Sequence, residues 1–151
     1  MLSVERYDAI VVDIDDTLIT GKYVAFMDLM WRIFKSTKLS NLLISIQSKF
    51  KFYRLNHKVA NMLVDALWAN KEVYFLTARC FNQATEKLIH NIFDPREFNY
   101  GIVSLGSYNP SQDKFEWIQG HNLKNCVLID DNFKTRLKCY EICDVIHPED
   151  I

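Results

Sequence analysis

Short β-branched runs alternate with amphipathic segments along most of this chain, and few architectures accept that order. Residues 7–13 (YDAIVVD) read as a buried strand, as do 73–76 (VYFL), 102–105 (IVSL) and 126–129 (CVLI), with a last short strand at 144–147. Between them lie helical segments. Residues 56–70 place Val59, Met62, Leu63, Ala66 and Leu67 on one face, with Asn56 as the cap. Residues 82–93 turn Thr85, Leu88, Ile89 and Ile92 inward. Ser111 is expected to cap a helix running to about Gly120, and residues 133–142 form the last helix. Strand–helix alternation demands right-handed crossovers, so the expected fold is α/β: a three-layer, Rossmann-like parallel sheet of about five strands in a single domain spanning 1–151.

One segment breaks the alternation. Residues 22–55 are helical twice over with no strand between, so they form a small helical cap inserted after the first strand. Met27, Met30, Trp31 and Phe34 make one apolar stripe, and Leu39, Leu42, Leu43, Ile46, Phe50 and Tyr53 a second. The cap is also where charge concentrates. The chain carries −1 overall, yet Leu29 to Val64 contains no acid and holds Arg32, Lys35, Lys38, Lys49, Lys51, Arg54 and Lys58. That stretch is +7, which leaves −8 for the rest. Such a split suits one face for an anion.

With 49% apolar and 25% charged residues in 151, the composition is that of a globular domain with a core of its own. No apolar run is long enough to span a bilayer, and Glu5, Arg6 and Asp8 stand where a secretory leader needs its apolar core, so a cytoplasmic protein is expected. Cys80, Cys126, Cys139 and Cys143 sit singly with no CxxC spacing, which argues against a zinc cluster or redox pair and for reduced thiols. Neither GxxxxGK nor GxGxxG occurs, so phosphate binding by those loops is excluded.

Ligands of parallel sheets bind at the carboxyl ends of strands, so the residues there carry the chemistry. The first strand ends in Asp13-Ile14-Asp15-Asp16-Thr17. Side chains two apart on an extended chain point the same way, so Asp13 and Asp15 address one spot. Two facing carboxylates can divide labour as nucleophile and general acid–base, or bind a hard cation such as Mg²⁺. The second strand ends in Thr77-Ala78-Arg79, where a hydroxyl and a guanidinium either hold phosphate oxygens or merely cap and solvate the strand end. Lys114 opposes a helix dipole in the first turns of its helix, an odd place for a surface cation. Asp130-Asp131-Asn132 after the fourth strand either bind metal or form an ordinary turn.

In this order the residues resemble the haloacid dehalogenase (HAD) superfamily of phosphohydrolases: DIDDT as the first motif, Thr77 the second, Lys114 the third, Asp130-Asp131 the fourth. The likeness covers the chain outside the cap, with Asp16 where many members have glycine. It implies a Mg²⁺-dependent phosphatase working through an aspartyl-phosphate. Asp13 would be the nucleophile and Asp15 the acid–base, with Thr77 and Lys114 on the transferring oxygens. Arg79 and Thr17 would lie at the substrate, and Asp13, Asp15 (through its carbonyl), Asp130 and Asp131 would hold the metal. Asp15 argues against the dehalogenases and ATPases of the superfamily. The stretches LTARCFNQATEK and LIDDN further resemble the phosphatase domain of phage-type polynucleotide kinase-phosphatases, with Cys80 where that family often has proline.

A phosphate dianion approaching a carboxylate is repelled unless a metal and a lysine first cancel the charge, which independently favours this residue set. The expected substrate is phosphorylated, a nucleotide or a nucleic-acid end. A small metabolite or lipid head group is the alternative, with the basic cap on an anionic membrane surface, as is a non-catalytic binding module.

Overall fold

The computed structural model describes residues 4–80 and 82–151, the side chains of Asp28 and Arg32 excepted. The Arg32 charge, residues 1–3 of the N-terminus and Phe81 of the quoted stretches therefore lie outside the described residues.

Strand β1 (Ala9–Val12) is buried at all four positions. Ala9 and Val11 pack toward Leu76, Ile118, Leu128 and Cys139, while Ile10 and Val12 pack toward Leu63, Phe75, Leu88 and Ile89. A strand apolar on both faces must be central and covered on both sides. Accordingly β1 pairs in parallel with β4 (Glu72–Thr77) on one side and β6 (Cys126–Ile129) on the other. Strands β5 (Gly101–Ser104) and β7 (Asp144–Ile146) complete a five-stranded parallel sheet in the order β5-β4-β1-β6-β7. Helices α3 (His57–Trp68) and α4 (Gln83–Ile92) supply one layer, α5 (Pro110–His121) and α6 (Phe133–Cys139) the other. The winding direction reverses between β1 and β6, which puts the ligand crevice at their carboxyl ends.

The cap consists of α1 (Lys22–Phe34) and α2 (Thr37–Phe50). The Ser36 hydroxyl accepts the Leu39 amide to start α2. A two-residue antiparallel ribbon, β2 (Ile19–Thr20) with β3 (Arg54–Leu55), closes the base of the cap. So short a ribbon carries no periodicity and is not visible in the sequence.

Two local expectations need correction. Ser111 does not cap α5: Pro110 occupies the first turn, Asn109 is the cap residue, and the Ser111 hydroxyl lies 3.1 Å from that of Thr135. Helix α6 stops at Cys139 instead of Ile142, because the Ile142 amide bonds the Cys139 carbonyl three residues back and tightens the chain into a turn. The apolar stripes of the cap are partly exposed. Phe34, Leu42 and Phe50 are 57–58% exposed, and among the described residues the buried ones of the cap are Val24, Ile44 and Gln47. A helical hairpin lying on a sheet edge has only one narrow face to bury, so much of its apolar surface stays outside.

Phe75 is fully buried and packs its ring against Phe93 and Tyr100. Phe75→Ala is expected to lower unfolding free energy in urea by about 3–5 kcal/mol. Leu42→Ala, at an exposed cap position, is expected to change it by less than about 1 kcal/mol.

Candidate active site

Register brings the expected residues together. Val12 lies opposite both Phe75 and Ile129, so the chain leaves β1, β4 and β6 at neighbouring points of one edge. Asp13 follows β1, with its amide donated to the Ile129 carbonyl at 2.9 Å. Lys114, 3% exposed on α5, reaches down between two carboxylates: Nζ is 2.6 Å from Asp13 Oδ1 and 2.7 Å from Asp130 Oδ2. Asp130 is itself fully buried. Oxygens of Asp13, Asp130 and Asp131 lie within 4.8 Å of one another. Three carboxylate oxygens at that spacing are hard donors suited to a small divalent cation.

The electrostatics fit the same assignment. Burial, helped by Asp130 and Asp15, pushes the Asp13 carboxyl well above the usual range, and Lys114 works against that rise. For Lys114, burial opposes the charge, but Asp13 and Asp130 outweigh it and raise its pKa. Burial, then the neighbouring Asp130 and Asp16, raises Asp131 to about 6. Asp13, Asp15, Asp130 and Asp131 face two cations, Lys114 and Arg79, so a divalent cation would neutralise the excess.

The turn after β1 explains the remaining residues. Leu18 and Ile19 both donate backbone amides to Ile14, and Asp16 takes a left-handed φ of 55°. Glycine meets that requirement freely and aspartate tolerates it, which accounts for the alternation noted at this position. Thr17, expected at the substrate, is instead fully buried. Its hydroxyl accepts the Asp131 amide at 3.0 Å and lies 3.4 Å from Asp131 Oδ1. It therefore fixes the loop bearing Asp131. Arg136 ties the same loop by donating to the carbonyls of Asp130 and Asp131 at 2.6 and 2.5 Å.

Thr77 is buried at the end of β4, its hydroxyl accepting the Arg79 amide at 3.2 Å. Arg79 faces Asp15 with a two-pronged pair, Nε to Oδ2 at 2.8 Å and Nη2 to Oδ1 at 2.5 Å. Burial disfavours the guanidinium charge, but Asp15 outweighs it and raises the Arg79 pKa. The remaining Arg79 donors meet Thr85 Oγ1 at 3.4 Å and Gln47 Oε1 at 2.8 Å. Gln47 belongs to α2, so the cap reaches the acid–base pair directly. Among the described residues, Gln47 Nε2 is the buried side-chain polar atom with no hydrogen-bond partner. Gln47 sits among Leu43, Ile44 and Ile46, and a polar residue on the inward side of an apolar stripe was the one signal that could have found it.

The acids and the two cations line a cavity of about 280 Å³, while Thr17, Thr77 and Gln47 lie buried behind its lining. Its floor holds Asp13, Asp15, Arg79, Lys114, Asp130 and Asp131, and its roof is Val24, Met27, Trp31 and Ile44 of the cap. Trp31 stacks on Tyr108 of the loop before α5, ring centroids 5.2 Å apart, which closes one side of the roof onto the core. Among the described residues, none of the basic cap side chains, Lys22, Lys35, Lys38, Lys49, Lys51 and Arg54, lines the cavity.

No protein-family model matches this chain. No curated protein matches it either. Among solved structures, a haloacid dehalogenase-like family hydrolase from Streptococcus pneumoniae superimposes with a TM-score of 0.54, covering 91% of this chain and 81% of that one at 16% identity. The chain thus has the haloacid dehalogenase-like fold.

Asp131 binds its proton more tightly folded, at about 6, than at its ordinary 3.8. Its contribution to stability therefore falls as pH rises through that window. Without divalent cations, Asp131→Asn is expected to raise the melting temperature at pH 7, and the gain should vanish below about pH 4, where both forms are neutral. Thermal scans across this range check the sign.

Proposed function

We propose that this protein, with its haloacid dehalogenase-like fold, is a Mg²⁺-dependent phosphatase that cleaves a small phosphate monoester through an aspartyl-phosphate on Asp13. The carrying observation is the buried Lys114 ammonium held between Asp13 and Asp130, with Asp131 beside them. Nothing in a structural core needs three carboxylates and a lysine gathered at a strand edge, whereas phosphoryl transfer does: a carboxylate to attack, carboxylates to hold a cation, and the ammonium to offset the incoming dianion.

In this reading Asp13 attacks phosphorus, the P–O bond to the leaving group breaks, and Asp15 gives that oxygen a proton. Asp15 then takes a proton from the water that hydrolyses the aspartyl-phosphate, restoring Asp13 and releasing inorganic phosphate. Lys114 and the Thr77 hydroxyl stabilise the transferring oxygens. Asp13, Asp130 and Asp131, with the Asp15 carbonyl, would hold Mg²⁺, which neutralises the phosphoryl charge when bound. Arg79 orients the Asp15 carboxylate through its two-pronged pair, a positioning role beyond the substrate contact expected of it.

The cavity supports a small substrate. A roof of Val24, Met27, Trp31 and Ile44 over a polar floor suits a leaving group with an apolar or aromatic part, and a nucleoside monophosphate has that character. Gln47 acts from behind the cavity lining, its Oε1 accepting from Arg79 Nη2 at 2.8 Å and so steadying the guanidinium that orients Asp15. A nucleic-acid end, as in polynucleotide kinase-phosphatases, would need the roof to open, and the basic residues that would track it lie outside the cavity.

Aryl phosphate hydrolysis tests the reading. Activity is expected with Mg²⁺, to vanish in EDTA, and to return with added Mg²⁺. Asp13→Asn should lose at least about a thousandfold in kcat, because the covalent route is removed rather than weakened. A variant keeping a tenth of the turnover, or full activity in EDTA, would overturn it. On the same substrate, Gln47→Leu is expected to cost about tenfold in kcat, because it removes the acceptor that holds Arg79 Nη2 beside Asp15.

A further inference from the structure

The outer face of the cap has no role in the cavity, yet it is the most unusual surface of the molecule. Helix α1 has two apolar sides. Val24, Met27 and Trp31 roof the cavity. Phe26, Leu29 and Ile33 recur at helical spacing on the opposite side and are 44%, 51% and 58% exposed. This outer stripe continues into a string of rings. Tyr23 lies 5.9 Å from Phe26 and 5.3 Å from Phe52, and Phe52 lies 5.6 Å from Phe50. Phe50 and Phe52 are 57% and 48% exposed. The Tyr23 hydroxyl donates to the Leu43 carbonyl at 3.2 Å, so the string is fixed across both cap helices. A connected apolar surface of this kind on a small domain marks a contact site.

Its rim is cationic. Lys22, Lys49 and Lys51 are exposed around the rings, and Lys49 Nζ sits 5.6 Å from the Phe50 ring centroid. From Leu29 to Val64 there is no acid to offset them. We propose that this face of the cap docks on an anionic phospholipid bilayer, with the rings and aliphatic side chains in the head-group layer and the lysines on lipid phosphates and carboxylates. Aromatic and aliphatic side chains ringed by lysine are the composition of an interfacial helix, and each basic residue near such a surface adds attraction. Among the described residues no helix is long and apolar enough to cross a membrane, so the contact is peripheral.

Two other occupants fit less well. Single-stranded nucleic acid would use the rings, but Leu29 and Ile33 offer no π-face for a base. A second copy docking cap to cap would bring two surfaces of the same positive sign together, since residues 22–55 hold seven basic residues and one acid.

Co-sedimentation with vesicles tests the proposal without reference to catalysis, so its failure and that of the phosphatase reading are separable. The full chain is expected to sediment with phosphatidylcholine vesicles containing phosphatidylserine, far less with phosphatidylcholine alone, and less as salt rises. Lys49→Glu with Lys51→Glu should weaken binding about tenfold or more. Phe50→Ser with Phe52→Ser should do the same through the apolar term. Both pairs are exposed, and an unchanged circular dichroism spectrum and melting temperature would show that the fold is intact. Failure to sediment with phosphatidylserine vesicles would overturn the proposal. So would binding insensitive to both double variants, tighter binding to a single-stranded oligonucleotide lost in the same variants, or a concentration-dependent dimer that those variants break.

Discussion

Everything at the edge of this sheet depends on one buried ammonium. Lys114 joins α5 to the ends of β1 and β6 through Asp13 and Asp130, all of them nearly or fully excluded from water. Removing one partner of such a group leaves buried charge uncompensated, a loss of about 3–5 kcal/mol. A well-packed apolar trio would hold the same three elements together with less electrostatic conflict, so stability alone does not account for it. In the proposed phosphatase, the arrangement would be charge held in place for a dianion, with the ammonium already desolvated and oriented before the ligand arrives.

The supports of this centre come from the chain next to it. Thr17 fastens the Asp131 amide, Arg136 fastens the carbonyls of Asp130 and Asp131, and Asn132 caps α6 while its own amide bonds Asp130 Oδ1 at 2.8 Å. The loop bearing Asp130 and Asp131 is thereby held from behind by Thr17 and Arg136, which lie outside the cavity lining, and by Asn132 at its rim. That rigidity is what a site requires if its geometry must be right to within a fraction of an ångström.

The sequence made the scaffold legible because buried parallel strands announce themselves. Residues such as Ile10 to Val12 and Val127 to Ile129 have no other stable use, and their carboxyl ends then nominate Asp13, Thr77 and Asp130 by position. The pairwise geometry was less accessible. The Arg79–Asp15 pair joins residues 64 apart, and the Thr17–Asp131 contact joins residues 114 apart, so neither leaves a mark at local spacing. Ser111 misled because serine before a helix is a common cap, but Pro110 already occupies the first turn. In the cap, periodicity found the helices but does not tell which residues they hide. An apolar stripe reports that some surface wants cover, without saying whether the core, the cavity or something outside supplies it.

The stack of Trp31 on Tyr108 has an optical consequence. It is a ring contact between the cap and the loop leading into α5. Trp68 packs edge-on against Phe98, and Trp117 stacks on His121 within α5, so both sit in the body of the molecule. Parting the cap from the core changes the surroundings of Trp31 and leaves those of the other two alone. The molecule thus carries its own fluorophore at the seam between cap and core. Emission from the unlabelled protein would report a parting of the two, with Trp68 and Trp117 as a constant background.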